Sequence, residues 1–415
     1  MKSKQAGLRF VFFVVLLDLL GIGLLIPVGP ELVMRLAGGT VQDTAPIVSW
    51  LGATFAIMVF LCAPLLGALS DRFGRRPVLI FSMLGSGLDY LAMALVPSVG
   101  WLFVTRVLNG ITGASVTTAQ AYIADVTPPD KRAAGFAVFG AAASLGFVLG
   151  PLLGGILGAI DIHYPFYAAA ALCLCNAMFG LFVMPESLPP ERRAKHAVKS
   201  PFQALAILRD YTLARQLSIT LLLVNMAQFM VHPTWMLYTK HRFGWGPREV
   251  GWSLFAVGLG GALVQGGLAR RFVPKLGEKR SIALGLSLAV LAYVGYATAN
   301  EPWLLYVAIA IASFGGLAMP ACQSMITKTV RPDQQGIVQG ALTSVQSIAN
   351  IGGMLLGGYL FDWSIDPVNE GVPPGTVYFG SAVLALAGLL FAVATLRRSP
   401  SAPATGTTNG SDRPA

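Results

Sequence analysis

Three charged side chains lie well inside long apolar stretches of this 415-residue sequence: Asp18, Asp89 and Arg106. Apolar surroundings favour the neutral form of a carboxyl group, so an acid in such a place can take up and release a proton or contact a cationic ligand. It can equally form a permanent ion pair with an arginine, and then its role is structural. The residues alone leave both interpretations open for each acid.

Neutral polar side chains accompany these charges in the apolar stretches. Each could hydrogen-bond to a bound small molecule, although a bond to a neighbouring helix is the more common use of such a residue. Asn225 and Gln228 are three positions apart, so on a helix they share one face. The candidates are Asn109, Gln120, Asn225, Gln228, Gln265, Gln323 and Asn350.

The elements that must position these residues are membrane-spanning helices. Charged residues make up 12% of the chain and hydrophobic residues 55%, with a mean hydropathy of +0.67. A soluble domain is about 25% charged, so the sequence predicts an all-α polytopic membrane protein. Twelve apolar runs are long enough to span a bilayer. They cover about 8–30, 47–70, 77–96, 101–124, 133–158, 163–184, 215–239, 248–273, 279–299, 303–325, 334–360 and 375–396.

The net charge of +10 is distributed unevenly between the loops. Lysine and arginine concentrate in every second loop, which the positive-inside rule assigns to the cytoplasm. This pattern predicts cytoplasmic termini, a cytoplasmic central loop and residence in the inner (plasma) membrane. The basic charge thus reports topology, and we expect no nucleic-acid partner. The first apolar run is too long for a cleaved signal peptide and is predicted to be a retained helix.

The two halves of the chain resemble each other. "ITKTVRPDQQGIVQGAL" echoes the earlier "IADVTPPDKRAAGFAVFGA", and "GMLLGG" at 353–358 echoes "GPLLGG" at 150–155. Such repeats are typical of secondary transporters, whose substrate site lies between the repeats. No phosphate-binding loop is present, so either an ion gradient supplies the energy or the protein only equilibrates its substrate. The predicted division is a six-helix bundle at 1–184, a cytoplasmic loop at 185–214, a second bundle at 215–396 and a disordered cytoplasmic tail at 397–415.

The loop "GALSDRFGRRP" at 67–77 combines two glycines, an aspartate and three arginines. A basic loop that only sets topology would explain the arginines. Alternatively, the aspartate pairs with a cation or a helix end in one conformation and is released in another, as a gate. The candidate gating residues are Gly67, Asp71, Arg72, Gly74, Arg75 and Arg76.

The stretch "GFVLGPLLGG" at 146–155 carries small residues at a spacing of four. Such spacing lets two membrane helices approach closely. The residues concerned are Gly146, Gly150, Pro151, Gly154 and Gly155.

These motifs together resemble the major facilitator superfamily, whose signature loop is Gly-x-x-x-Asp-Arg-x-Gly-Arg-Arg. The sequence is especially similar to the tetracycline-efflux group of twelve-helix drug:proton antiporters, from about residue 10 to about residue 360. "DLLGIGLLIP", "SDRFGRRPVL", "GLDYLAMA", "RVLNGITGA" and "HRFGWGP" carry this resemblance in the expected order. It implies two six-helix bundles that rock around a central cavity.

The resemblance also implies roles for particular residues. The glycine-rich fifth helix marks antiporters in this family, which would make the protein an exporter. Asp18 and Asp89 would serve transport, and Arg106 takes the place of a fourth-helix arginine linked to proton transfer. Tetracycline carriers have a ninth-helix acid where this chain has Ala289, and an eighth-helix histidine where it has Gly261, although the nearby Gln265 matches. If the ninth-helix acid is the main proton site in the relatives, this protein would couple through Asp18 or Asp89, or it would couple poorly.

We therefore predict a proton-coupled antiporter that exports amphiphilic, drug-like molecules, with tetracyclines as candidate substrates. Ala289 and Gly261 favour an alternative, an exporter of an endogenous metabolite or lipid-like amphiphile. A membrane binding protein that transports nothing is the other alternative.

An enzyme is not expected, because the sequence has no nucleophile–base set and no cluster of metal ligands. Its four cysteines, Cys62, Cys173, Cys175 and Cys322, lie in apolar segments, which predicts neither a disulfide framework nor a metal site. We expect a monomer without a bound cofactor, whose partners are the substrate, protons and membrane lipid. With a tetracycline, a divalent cation would accompany the drug.

Overall fold

The computed structural model describes residues 2–113, 115–127, 132–193, 205–331, 334–369 and 371–398, and every regular element among them is helical. The first bundle's helices are α1 (Lys2–Leu25), α2 (Gly29–Ala37), α3 (Val41–Phe73), α4 (Arg75–Leu95), α5 (Val99–Thr112), α6 (Ser115–Val126), α7 (Arg132–Ile160) and α8 (Tyr164–Val183). The second bundle has α9 (Thr212–Phe243), α10 (Pro247–Leu263), α11 (Ala269–Leu276), α12 (Glu278–Thr298), α13 (Pro302–Gly315), α14 (Ala318–Thr329), α15 (Gln335–Ile365) and α16 (Thr376–Arg398).

Nine spans in the described part of the chain are long and apolar enough to cross a membrane, and the bent pair α1–α2 makes a tenth. The α5–α6 pair and the 31-residue α15 follow the remaining two predicted runs. The described residues thus confirm the all-α class and the order of the twelve predicted spans. The last helix extends to Arg398, two residues beyond its predicted end.

Two predicted spans are not continuous helices. The fourth is divided between α5 and α6 around Gly113, and the tenth between α13 and α14 around Gly316 and Leu317. Glycine lowers helix stability, and pairs of small residues are common sites of helix breaks. Each of these spans therefore consists of two half-helices joined at a glycine-containing break.

The predicted tail and central loop lie partly outside the described residues. Positions 399–415 and 194–204 are not described. The described parts of the central loop contain single 3₁₀ turns at Pro190–Arg192 and Ile207–Arg209.

The two bundles meet at one end of the molecule, which we call the joined end. There α2 and the start of α3 lie against the second bundle, and Lys240 forms an ion pair with Glu31 across the boundary. Trp50 Nε1 donates a hydrogen bond to the Tyr359 hydroxyl at 2.7 Å. Ala45 of α3 also belongs to a hydrophobic core otherwise formed by buried residues of the second bundle.

The opposite end, which holds the loop at 67–77, is called the separated end. Among the described residues, the core beneath this loop contains buried side chains of the first bundle only. The corresponding core around α12, α14 and α16 contains buried side chains of the second bundle only. The bundles therefore share a core at the joined end and keep separate cores at the other.

Candidate functional site

The centre of the first bundle contains an ion pair between α4 and α5. Arg106 Nη2 lies 2.5 Å from Asp89 Oδ2, and the Asp89 side chain is only 2% exposed. Asn109 Nδ2 donates a second hydrogen bond to the same oxygen at 2.6 Å. Arg106 and Asn109 are three residues apart on α5, so they present one face to the acid. The ion pair that the sequence left open is thus present for Asp89.

The second carboxyl oxygen of Asp89 has a different environment. Oδ1 is buried and has no hydrogen-bond partner among the described residues. The Thr105 hydroxyl interacts with the Asp89 carboxyl group and donates a hydrogen bond to the carbonyl oxygen of Leu102 at 2.8 Å. Asp89 thus has one oxygen held by two donors and one oxygen that can carry a proton.

Arg106 contacts side chains of two neighbouring helices, α4 and α3. Its Nη2 also lies 2.6 Å from the Met93 sulfur, and its guanidinium carbon lies 5.9 Å from the centre of the Phe55 ring of α3. The side chain is 17% exposed. An arginine next to an aromatic face and a buried acid is held in place, and only a change at one of these contacts would release it.

Asp18 lies on α1 in the same bundle and is 5% exposed. Asp18 and Asp89 both interact electrostatically with the Tyr90 hydroxyl and the Cys173 thiol. A Cβ added at Gly21, one helical turn after Asp18, would lie 3.4 Å from Cys173 Sγ. The structure therefore brings the two predicted acids to one region, where α1, α4 and α8 meet.

Tyr90 and Cys173 were not predicted as site residues. Tyr90 directly follows Asp89, and an α-helix turns about 100° per residue, so nothing in the spacing indicated that both would lie near Asp18. Cys173 was interpreted as a packing residue, and its 1% exposure agrees with burial. Only the packing of α8 on α1 and α4 reveals its position beside the acids.

The remaining neutral polar candidates have varied surroundings. Asn225 is buried and donates to the Leu221 carbonyl oxygen of its own helix at 2.7 Å, whereas Gln228 is exposed. The predicted shared face therefore does not give this pair a shared environment. Asn350 is half-buried. The exposed members of the set are Gln120, Gln265 and Gln323.

The turn between α3 and α4 is fixed by Glu186, which follows α8. The Glu186 carboxylate accepts hydrogen bonds from the backbone N–H groups of Arg75 and Arg76 at 2.9 and 3.2 Å. A carboxylate at this place stabilises the positive end of the α4 dipole. Gly74 has φ +106°, and a Cβ there would overlap the Glu186 carboxylate. A glycine is therefore required at this position.

The arginines of this turn have separate roles. Arg75 forms ion pairs with Asp71 at 2.6 Å and with Asp125 of α6 at 3.1 Å. Arg76 donates to the Leu181 carbonyl oxygen, and the exposed Arg72 lies over the Phe73 ring. Asp71 therefore has the cationic partner that the gating hypothesis requires.

Further observations concern the candidate gating residues of the loop at 67–77. A Cβ at Gly67 would meet nothing within 4 Å, so the described structure does not demand a glycine there. Glu186 and Asp125 were not predicted as parts of this network. Their positions 111 and 50 residues from Arg75 carry no signal that spacing could reveal.

The small residues of α7 allow close contact with α1. A Cβ added at Gly150 would lie 2.7 Å from Cα of Gly23, and one added at Gly154 would overlap the Leu24 carbonyl oxygen. Gly146 faces the same helix. This surface packs α7 within the first bundle.

A second surface of α7 contacts the other bundle. A Cβ added at Gly155 would lie 2.5 Å from the carbonyl oxygen of Pro247 at the start of α10. One added at Gly251 would lie 2.7 Å from the Pro151 carbonyl oxygen. The predicted motif therefore joins α7 to α1 with one face and to α10 with another.

Comparison with known proteins identifies this arrangement. The major facilitator superfamily matches residues 11–302 and 275–414. The chain belongs to the major facilitator superfamily. It is 38% identical over 357 residues to the class C tetracycline resistance protein of Escherichia coli, covering 86% of this chain and 89% of that protein.

Other relatives broaden this comparison. The class B tetracycline resistance protein of E. coli is 34% identical over 370 residues, which cover 88% of this chain and 91% of that protein. Multidrug resistance protein 2 of Bacillus subtilis is 31% identical over 380 residues, covering 88% and 92%. This major facilitator chain is thus homologous to drug-efflux transporters, and its relatives are not enzymes.

Solved structures agree on the fold. A human organic anion transporter superposes with a TM-score of 0.71 at 26% identity, covering 94% of this chain and 99% of that one. A bacterial homologue of the human lysosomal transporter Spinster, inward-facing and unoccupied, gives a TM-score of 0.76 at 18% identity, covering 97% and 99%. The predicted major facilitator fold is confirmed.

Two residues distinguish this chain from what the tetracycline-efflux resemblance implies. Ala289 packs against the core of the second bundle, and a Cβ at Gly315 would lie 3.2 Å from its Cβ. A Cβ at Gly261 would meet nothing within 4 Å. Neither position carries a titratable group, so the buried acids among the described membrane spans lie in the first bundle.

Proposed function

We propose that this protein is a proton-driven antiporter that exports amphiphilic, drug-like molecules, with tetracyclines as candidate substrates. One observation carries the proposal: inside a major facilitator chain related to tetracycline-efflux proteins, Asp89 is buried with a charged partner on one oxygen and none on the other. A buried ionisable group that is only half-satisfied is suited to a proton step.

Protonation of Asp89 would change the local forces on Arg106. The neutral acid attracts the guanidinium group far less than the carboxylate does, so the 2.5 Å contact would weaken. Arg106 would then be free to shift toward another partner, and Asp18, which interacts with Tyr90 in the same region, is a candidate of opposite charge. Proton uptake and release would thereby switch α1, α4 and α5 between two arrangements.

The orientation follows from the predicted topology. With both termini in the cytoplasm, the joined end faces outward and the separated end faces the cytoplasm. An amphiphile would enter through the separated end, and rocking of the two bundles would then open the joined end to release it. We place the protein in the inner membrane as a monomer without a bound cofactor, with protons and lipid as its other partners. With a tetracycline, a divalent cation would travel with the drug.

The test is tetracycline accumulation in everted membrane vesicles under an imposed pH gradient, acidic inside. We expect accumulation with the natural protein and its loss in Asp89→Asn. Exchange of labelled drug without a gradient should persist in that variant, because only coupling is removed. Asp210→Asn is the matched control, since Asp210 is exposed and lies outside the described spans. Asp18→Asn is measured in parallel to decide which acid carries the proton.

Each outcome has a definite meaning. Loss of coupling in Asp18→Asn alone would transfer the proton site from Asp89 to Asp18. Drug accumulation that survives in both variants would refute proton coupling through the buried acids. No accumulation by the folded natural protein would exclude tetracycline as its substrate.

A second candidate, export of an endogenous metabolite or lipid-like amphiphile, is favoured by Ala289 and Gly261. A carrier lacking those two side chains presents an apolar surface where the tetracycline carriers would place polar groups. A screen of amphiphiles for thermal stabilisation of the purified protein would distinguish this candidate, because a ligand that binds the folded state raises the unfolding temperature.

A further inference from the structure

The two bundles repeat in register over three consecutive helices and the adjoining ends of the helices on either side. The bounds of α4, α5 and α6 recur 203 positions later in α12, α13 and α14, and both the α3 end and the α7 start have counterparts at the same interval. Gly74 directly precedes α4, and Gly277 directly precedes the equivalent α12. Both have positive φ values, of 106° and 79°. The interval therefore identifies equivalent positions without comparing side chains.

This register reveals two equivalent ion pairs of opposite polarity. In the first bundle, Arg75 at the start of α4 pairs with Asp125 near the end of α6, at 3.1 Å. In the second, Glu278 at the start of α12 pairs with Lys328 near the end of α14, at 2.7 Å. Both members of the pair have exchanged sign.

Neighbouring contacts are repeated as well. Arg76 donates to the carbonyl oxygen of Leu181 in the last span of its bundle. The equivalent Lys279 donates to the carbonyl oxygen of Leu396 in the last span of the second bundle, at 3.0 Å. Ser324 strengthens the second pair by donating to Glu278 Oε1 at 2.5 Å.

The location of these pairs suggests what they do. Each pair connects the start of an unbroken helix, α4 or α12, to the second half-helix of a broken span, α6 or α14. In the second bundle, α14 is joined to α13 at the break around Gly316, and the pair holds its other end. Besides its packing in the core of the second bundle, α14 is thus held by the break at one end and by the ion pair at the other, and it loses one restraint when that pair opens.

We propose that Glu278 and Lys328 are positioning residues of the transport cycle, which restrain the movement of α14 at the separated end. This inference rests on the alternating-access transport proposed above. The sequence also showed a degraded partner of the loop at 67–77, "GLARRFVPKLGEKR" from Gly267, but all the gating candidates taken from the sequence lay in the first bundle. The exchange of charge hides the equivalent device in the second bundle from any search for the same residue types.

The restraint must be weak enough to open during transport. The Lys328 side chain is 68% exposed and the Glu278 side chain 24% exposed. Ion pairs of this kind contribute about 0.2–1 kcal/mol. Loss of the pair should therefore change the equilibrium between held and released α14 by up to about fivefold.

The experiment measures the distance between α12 and α14 without any substrate. The four natural cysteines are removed, and cysteines are introduced in place of Arg280 and Thr329. Spin labels on these two cysteines report the distance by double electron–electron resonance. We expect Glu278→Gln to broaden the distance distribution, and the swap Glu278→Lys with Lys328→Glu to narrow it again. Glu249→Gln, at the joined end, is the matched control and should leave the distribution unchanged.

Two results would overturn the proposal. One is an unchanged distribution in Glu278→Gln. The other is a charge swap that remains as broad as the single variant, because then the pair itself is not the restraint. Transport is measured separately on the same variants. Broadening in a protein that moves no drug would leave the restraint established and would place the error in the proposed function.

Discussion

The two bundles share a backbone plan but differ in what they bury. The described helices α4–α6 and α12–α14 begin and end at positions 203 residues apart, and both broken spans have their break at the same place. At the positions equivalent to Asp89, Arg106 and Asn109, the second bundle has Ala292, Ile309 and Ala312. The same fold element thus holds an ion pair in one bundle and an apolar contact in the other.

The second bundle fills the corresponding region with aliphatic and aromatic side chains. Ile309 belongs to a core that also contains Tyr238 and Tyr296, and Ala292 is fully buried. The Tyr238 hydroxyl donates to the Tyr296 carbonyl oxygen at 2.9 Å, so its polar end is satisfied inside the core. The comparison shows that helix geometry is repeated in both bundles, whereas the charged residues that are buried among the described ones, Asp18 and Asp89, belong to the first bundle. This difference supports the proposal that the proton step takes place in the first bundle.

The strongest test of this division is to give the first bundle the residues of the second. The triple variant Asp89→Ala, Arg106→Ile and Asn109→Ala should lose gradient-driven drug transport. It should stay folded, because replacing a buried ion pair by apolar residues is often neutral or stabilising by about 1–4 kcal/mol. Vesicle transport and the thermal unfolding midpoint are measured together. Transport at the natural rate would refute the proposal.

Breaking only one partner should have a large effect on stability. Arg106→Gln leaves the 98% buried Asp89 side chain without its cation, and such a loss costs about 3–5 kcal/mol. Adding Asp89→Asn should recover most of that cost, because no charge remains to be compensated. Denaturant unfolding in detergent measures both variants. Equal destabilisation of the single and double variants would mean that the pair contributes little.

The glycines of the repeat should behave alike in both bundles. Gly154 and Gly357 are equivalent, and a Cβ at either would meet a carbonyl oxygen, that of Leu24 or of Met230. Alanine at either position should destabilise by about 1–3 kcal/mol through overpacking. Gly140→Ala is the control on α7, since its Cβ would meet nothing within 4 Å. This control substitution should be neutral or slightly stabilising. A loss of stability in Gly140→Ala would contradict the packing argument.

The smallest expected effect concerns the contact between bundles at the joined end. Lys240→Gln removes the ion pair with Glu31, in which both side chains are partly buried. We expect this loss to weaken the contact between the bundles at the joined end by about 0.5–1 kcal/mol. The population in which the bundles are apart at that end should therefore rise about two- to fivefold. Cross-linking of cysteines in place of Trp50 and Tyr359 should slow accordingly. Arg242→Gln, an exposed residue of the same helix end, should leave the rate unchanged.

Much of the fold could be predicted because the membrane imposes one-dimensional rules. Length and hydropathy predict a span wherever about 20 apolar residues occur. Such a span must be helical because a helix satisfies its backbone hydrogen bonds within the segment, where lipid offers no partners. The breaks at Gly113 and Gly316 were not predicted. Whether a helix continues through a glycine or breaks there depends on the side chains packed around it, and those side chains come from other helices.

The candidate site was predictable in its charged members and not in its contacts. Asp18, Asp89 and Arg106 stand out because a charge in an apolar run needs a compensating partner. Asn109 was one of seven polar candidates, and only the rotation of α5 against α4 selects it as a second donor to Asp89. Glu186 gave no signal, because its partners are backbone N–H groups 110 and 111 residues away.

The sequence by itself determined that this chain is a helical membrane protein with a repeated design and a small set of buried charges. Hydropathy and charge are properties of single residues and their near neighbours, so they can be read along the chain. Only the tertiary structure decided which polar groups meet and that Glu278 and Lys328 form the counterpart of Arg75 and Asp125. Those pairings depend on how each helix is rotated against its neighbours, and that rotation is settled by packing between segments far apart in sequence.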